Sequence, residues 1–210
     1  MATHKGKFIV FEGTDGSGKS TQIGLLAEYL GERGVPCART SEPTRSPFGV
    51  LLRDCLTGRM DTDEHAIAAL FAADRLDHVL NPNGGMLKTL GEGTTVLCDR
   101  YYFSSLAYNG GIVSTDWVYE LNRQAMLSLR PDLVIYLDLD PEEAMSRVRQ
   151  RGETERYETL SRQKLIREKY FQIFERLKGE ENIVVVKSEA EIMDTQRQVR
   201  AAVDALFQGE

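Results

Sequence analysis

Eight consecutive residues, Gly13-Thr14-Asp15-Gly16-Ser17-Gly18-Lys19-Ser20, constrain this chain more than any other stretch. They fit the pattern G-x-x-x-x-G-K-[ST] at every fixed position. An apolar run at 8–11 precedes them, and a helical pattern starting at Lys19 follows. Glycines at 13, 16 and 18 permit backbone conformations that a side chain would forbid, so successive N–H groups can turn inward around an anion. The helix behind them presents its first N–H groups and its positive dipole end to the same anion. Lys19 adds a point charge for the outer phosphates, and the Ser20 hydroxyl is placed to ligate Mg²⁺. A glycine turn that binds nothing would have to account for all the fixed positions and both flanks at once. The loop therefore predicts a nucleoside triphosphate, without saying what is done with it.

Five short runs rich in Val, Ile and Leu (8–11, 36–40, 94–98, 133–139 and 183–186) read as strands covered on both faces. Helical patterns separate them at 19–32, 47–56, 64–80, 117–129, 141–151, 159–177 and 190–207. Alternating strands and helices predict an α/β fold, a five-stranded parallel sheet with helices on both faces. A chain of 210 residues fits one domain, 1–210, and carries no internal repeat or low-complexity linker. Ligands of such sheets bind at the carboxyl ends of the strands. The residues with chemical potential follow those ends: Gly13 after the first, Glu42-Pro43 after the second, Asp99-Arg100 after the third.

Bulk properties exclude several classes. A net charge of −6 gives no support for binding nucleic acid or an anionic membrane. No apolar run approaches a membrane span. The three cysteines, Cys37, Cys55 and Cys98, are widely spaced and include no C-x-x-C pair. That argues against a disulfide framework or zinc site and fits a reducing cytoplasm. The N-terminus enters a strand directly, so no signal peptide is expected.

Four further constellations bear on the substrate. Asp99 in Asp99-Arg100-Tyr101 stands where a second carboxylate could organise Mg²⁺, and Arg100 could reach a phosphate; alone, the pair would also suit a surface ion pair. Phe71 and Arg75 share a helical face, an arrangement suited to stacking on a nucleobase and bonding its carbonyl. The same spacing suits a core phenylalanine beside a solvated arginine. Pro43 and Pro47 fix the turn 41–48, with Arg45 and then Arg53 placed to clamp a monophosphate. Finally, Arg147, Arg149, Arg151 and Arg156 crowd one segment. A charge run is usually a solvated face, yet a triphosphate needs more neutralisation than Lys19 supplies, and arginine's planar fork suits phosphate.

Taken in order along the chain, these landmarks resemble the thymidylate kinase family. The likeness rests on G-T-D-G-S-G-K-S, Glu42-Pro43, L-F-A-A-D-R at 70–75, D-R-Y followed by Ser104, P-D-L-V-I-Y-L-D at 131–138, and E-R-Y-E at 155–158. The resemblance implies a three-layer phosphate-loop kinase fold with a small lid at about 141–157, and a homodimer. It implies transfer of the γ-phosphate of ATP to dTMP to give dTDP. Phe71 would stack on thymine, Arg75 would bond a base carbonyl, and Arg53 and Arg100 would hold the monophosphate. Asp15 would lie near the acceptor phosphate, ribose or metal, Tyr108 near sugar and base, and Tyr157 over the deoxyribose. Some members carry an arginine directly after the loop aspartate; here that position is Gly16. The catalytic arginine is then expected from the lid, with Arg149 and Arg151 as candidates. Ser104 and Ser105 are the candidates for reading the base edge. A related nucleoside or nucleoside-monophosphate kinase with another base preference is the alternative. A nucleotide-binding switch would call for a guanine-reading N-K-x-D, which the sequence lacks.

Overall fold

In the computed structural model, which describes residues 5–149, 159–188 and 191–208, the expected sheet is present. The strands are β1 (Phe8–Glu12), β2 (Cys37–Ser41), β3 (Thr95–Asp99), β4 (Leu133–Asp138) and β5 (Ile183–Lys187). They run parallel in the order β2-β3-β1-β4-β5. The chain therefore leaves β1 to build one side of the sheet and returns past it to build the other. Such a switch point opens a crevice at the carboxyl ends. Register sharpens this: Asp99 lies level with Phe11 on one side and Ser41 on the other. The loops beginning at Gly13, Glu42 and Arg100 thus emerge side by side.

Alternation along β1 shows why both faces are covered. Phe8 and Val10 enter one apolar core, whereas Ile9 and Phe11 enter the other. The second core packs against α1 (Lys19–Glu32) and α9 (Ile192–Gln208). The first is larger and involves α2 (Pro47–Leu56), α3 (Glu64–Leu80), α4 (Met86–Gly91), α5 (Tyr102–Tyr108), α6 (Thr115–Ser128) and α8 (Leu160–Arg176). The remaining helix, α7 (Pro141–Arg149), follows β4 and packs on α8.

Local chemistry sets several helix starts. Ser46, Asp63, Ser114 and Thr159 each cap a helix by accepting a backbone N–H, and Pro47 occupies the first turn of α2. By contrast α1 begins at Gly18, with φ of 93° and no side-chain cap. Its first N–H groups are left for another acceptor.

Helices α1, α2 and α3 have the bounds that periodicity predicts, while α4 and α5 were not anticipated. Every residue of α5 is buried. A helix buried on all sides carries no amphipathic signature, and six or seven residues are too few to display one. Both core cysteines at 55 and 98 are buried free thiols, and Cys37 is half-buried.

The turn after β2, which includes a cis Glu42–Pro43 peptide, is pressed against α2. A Cβ at Gly49 would stand 2.0 Å from the Thr44 carbonyl oxygen. Gly49→Ala is therefore expected to destabilise the protein by about 1–3 kcal/mol, the usual range for overpacking. Urea unfolding of the two proteins measures this, and an unchanged midpoint would contradict it.

Candidate active site

The phosphate loop spans β1 and α1 as the sequence requires. Gly13, Gly16 and Gly18 all have positive φ, at 147°, 85° and 93°. Lys19 is almost fully buried and folds back over the loop, donating to the carbonyls of Gly13 (3.1 Å) and Thr14 (3.2 Å). Burial, then the nearby Arg100 guanidinium, pushes the Lys19 ammonium below the ordinary lysine range. The buried Thr14 and Ser17 hydroxyls have no hydrogen-bond partner among the described residues. Ser20 donates to Asp99 Oδ2 at 2.9 Å, while Asp99 Oδ1 is buried without a partner among the described residues. A hydroxyl beside a carboxylate oxygen with unused acceptor capacity is a hard-oxygen donor set suited to Mg²⁺.

A cavity of about 310 Å³ opens in front of this loop. Its walls include Asp15, Gly16, Gly18, Lys19, Ser20, Glu42, Pro43, Arg53, Asp99 and Arg100. Residues from three separate loops thus face one space, as the strand register dictates.

Arg100 is the strained member. Its φ of 73° is left-handed, a conformation that costs a non-glycine residue about 1–3 kcal/mol. Neighbours hold it there: the Arg100 N–H donates to Phe11 O (2.9 Å), and the next N–H, of Tyr101, donates to Glu12 Oε1 (2.8 Å). The guanidinium then reaches Asp15 Oδ1 (2.5 Å), Ser104 Oγ (3.1 Å) and Tyr108 Oη (3.2 Å), and stacks on the Tyr108 ring. Asp15 also accepts from Tyr108 Oη (3.0 Å) and Gln163 Nε2 (3.3 Å). Burial alone would raise the pKa of Asp15, but Arg100, Lys19 and those donors outweigh it and hold the carboxyl below its usual range.

Arg75 overturns the idea of a solvated arginine. It is 1% exposed. Nε donates to Glu42 Oε2 (2.8 Å), Nη2 lies 2.7 Å from the same oxygen, and Nη1 reaches Ser105 Oγ (3.0 Å) and Asn122 Oδ1. Glu42 is accordingly a partner of Arg75 as well as a cavity wall. Arg53 donates to the carbonyls of Pro43 (3.0 Å) and Thr44 (2.5 Å), so it steadies the turn while facing the cavity. Arg45 lines an adjoining cavity with Arg39, Ser20 and Asp99. Phe71 is half-buried against the larger core.

Neither serine proposed for the base edge is uncommitted. Ser104 Oγ donates to Glu12 Oε2 (2.6 Å), and Ser105 accepts from Arg75. Arg147 pairs with Glu143 on α7, while Arg149 is exposed and lines a cavity with Glu142, Met145, Ser146 and Leu160. Arg151, Arg156 and Tyr157 lie outside the described residues.

Several members of the site gave no sequence signal. Glu12, Asp74, Asn122, Gln163 and Tyr170 are buried polar residues inside apolar or helical patterns. Glu12 shows the cost of finding them: burial raises its carboxyl pKa, and donation from Ser104, Tyr101 and Tyr170 only partly offsets that. A polar residue at a core position of a strand is the one mark available beforehand.

Comparison with known proteins settles the lineage. Residues 11–199 match the family model described as thymidylate kinase. This chain belongs to the thymidylate kinase family. It is 39% identical over 207 residues to a probable thymidylate kinase of Thermococcus onnurineus, covering 94% of this chain and 97% of that one. A thymidylate kinase of Caldicellulosiruptor saccharolyticus is 36% identical over 208 residues, covering 97% and 98%. One from Symbiobacterium thermophilum is 38% identical over 207 residues, covering 95% and 94%.

Within this family member, Gly16 has a local reason to be glycine. Besides its positive φ, a Cβ there would lie 2.5 Å from the backbone oxygen of Ala144 on α7. Gly16→Ala should therefore lower stability by about 1–3 kcal/mol through strain and overpacking. Thermal unfolding with and without ATP-Mg²⁺ reads it, and wild-type stability together with wild-type ATP affinity would refute the close packing.

Proposed function

We propose that this protein transfers the γ-phosphoryl group of ATP to dTMP, giving dTDP. The observation that carries the reading is the convergence of the phosphate loop, Arg53, Arg100 and Asp15 on one cavity, in a member of the thymidylate kinase family. Phosphoryl transfer asks chiefly for positioning and charge neutralisation, because the acceptor is already an anionic phosphate oxygen and needs no general base. Loop residues 13–20 and the open N-terminus of α1 would hold the donor phosphates. Lys19 would exchange its contacts with the Gly13 and Thr14 carbonyls for phosphate oxygens. Ser20 and Asp99 would hold Mg²⁺, which when bound supplies charge neutralisation at the phosphates. Arg53 and Arg100 would grip the acceptor phosphate, with Asp15 fixing Arg100. Phe71 would lie against the thymine ring, and Arg75 would turn an N–H of Nη2 toward a base carbonyl. Tyr108 would border the sugar, and Tyr157 would close over it. The segment from about 141 to 157 would act as a lid that excludes water, with Arg149 or Arg151 neutralising the moving phosphoryl group.

An ADP-release assay with ATP-Mg²⁺ against dTMP, dUMP, UMP, CMP, AMP and GMP tests the reading. Turnover should be highest with dTMP; a preference for another base would replace it with the related-kinase alternative, and acceptor-independent ATPase would overturn both. In the same assay Phe71→Ala should raise the KM for dTMP about fivefold to tenfold, the loss of one aromatic contact of about 1–1.5 kcal/mol, with little change for ATP. Equal effects on both substrates would dismiss stacking.

The protein is further inferred to act as a cytoplasmic homodimer. The cysteines are free, and no described helix is long and apolar enough to cross a membrane. Phe48, Val50 and Leu51 of α2, Leu80 of α3 and Trp117 of α6 are exposed large apolar side chains on neighbouring helices. Sedimentation equilibrium should give twice the chain mass of 23.6 kDa; a monomer at micromolar concentration would refute the assembly.

A further inference from the structure

Glu42 divides its two carboxylate oxygens between two residues of α3. Oε2 faces Arg75, and Oε1 lies 3.0 Å from Nδ1 of His78. His78 stands three positions beyond Arg75, one helical turn along the same face. Its other ring nitrogen, Nε2, lies 2.7 Å from Thr40 Oγ1 on β2. Since a carboxylate oxygen accepts, the ring donates to Glu42 from Nδ1, and its Nε2 shares a hydrogen bond with the Thr40 hydroxyl. The Glu42 carboxylate thus accepts from His78 on one oxygen and from Arg75 on the other, and the Thr40 hydroxyl bonds the far side of the ring. The inner members of this network are shielded: the side chains of His78, Glu42 and Arg75 are 9%, 2% and 1% exposed, while Thr40 is half-buried.

On these grounds we propose that His78 is a positioning residue for nucleobase recognition. It fixes the Glu42 carboxylate, and the carboxylate fixes the Arg75 guanidinium. A guanidinium can read a carbonyl only if its plane is held, and Glu42 with one oxygen released could rotate about its own side-chain torsions. The ring does this from a scaffold pinned elsewhere: Asp74, beside Arg75, accepts from Thr44 N–H (2.8 Å), Thr44 Oγ1 (2.5 Å) and Ser46 Oγ (3.0 Å). Removing the imidazole therefore leaves α3 and the 42–46 turn joined, and loosens one carboxylate.

This inference rests on the dTMP reading of Arg75, and wild-type turnover of dTMP in the acceptor panel is its control. With that activity in hand, initial rates are measured for His78→Ala, His78→Asn and Thr40→Val. His78→Ala should raise the KM for dTMP about fivefold to tenfold, the worth of one buried hydrogen bond, with the KM for ATP within about twofold of wild type. His78→Asn, whose amide can donate from near the Nδ1 position, should restore most of the loss. Thr40→Val, a conservative change on an edge strand, should give a smaller rise in the same KM. Folding of each variant is followed by circular dichroism, and should His78→Ala fail to fold, the asparagine and valine variants decide. An unchanged dTMP KM in His78→Ala and Thr40→Val, or a parallel rise for ATP, would overturn the proposal. A wild type inactive on dTMP would instead overturn the functional reading beneath it.

Discussion

The carboxylate of Glu12, buried at the end of the central strand, ties together the elements that make the site. It accepts from the backbone of the turn after β3, from Ser104 in α5 and from Tyr170 in α8. The first two belong to one segment, 101–104, and the third arrives from far along the chain. An unmatched carboxylate there would be costly to bury, so the surrounding donors are bound to stay close. Their closeness keeps Arg100 in its left-handed conformation, and that conformation aims the guanidinium at Asp15 in the phosphate loop. The geometry at the cavity is thus paid for by polar contacts one layer below it.

A second constraint runs from α3. Consecutive residues Asp74 and Arg75 bind the turn after β2, and Arg53 from α2 holds the same turn through its carbonyls. Groups assigned to opposite ends of a nucleotide, Arg75 at the base and Arg53 at the phosphate, are therefore parts of one cross-braced unit. Such bracing limits how far the two can drift apart before a substrate arrives, which lowers the ordering cost of binding.

Much of this was legible in the residues. The glycine loop with Lys19 and Ser20 carries its own mechanism, and the five strands announce themselves because a sheet buried on both faces must be apolar almost throughout. The first three long helices are amphipathic and end where the pattern ends. What stayed hidden follows from the same physics. Helix α5 is enclosed on every side, so no face stands out. Arg75 reads as a ligand-binding arginine, yet nothing nearby in sequence reveals that Glu42, Ser105 and Asn122 occupy so much of it; those partners come from 30 or more positions away. Glu12 and Gln163 are single polar residues in apolar or mixed surroundings, and only the folded chain shows what they hold.

The contact between Gly16 and the backbone of Ala144 carries a consequence for how this enzyme could change over time. Relatives that place an arginine after the loop aspartate need room at that spot for a side chain, and here the neighbouring helix already fills it. A backbone oxygen cannot be trimmed by mutating Ala144, so no single exchange elsewhere clears the space. A side chain at position 16 would thus require α7 to be displaced. The loop's composition at this position is therefore coupled to the placement of a helix more than a hundred residues further along the chain.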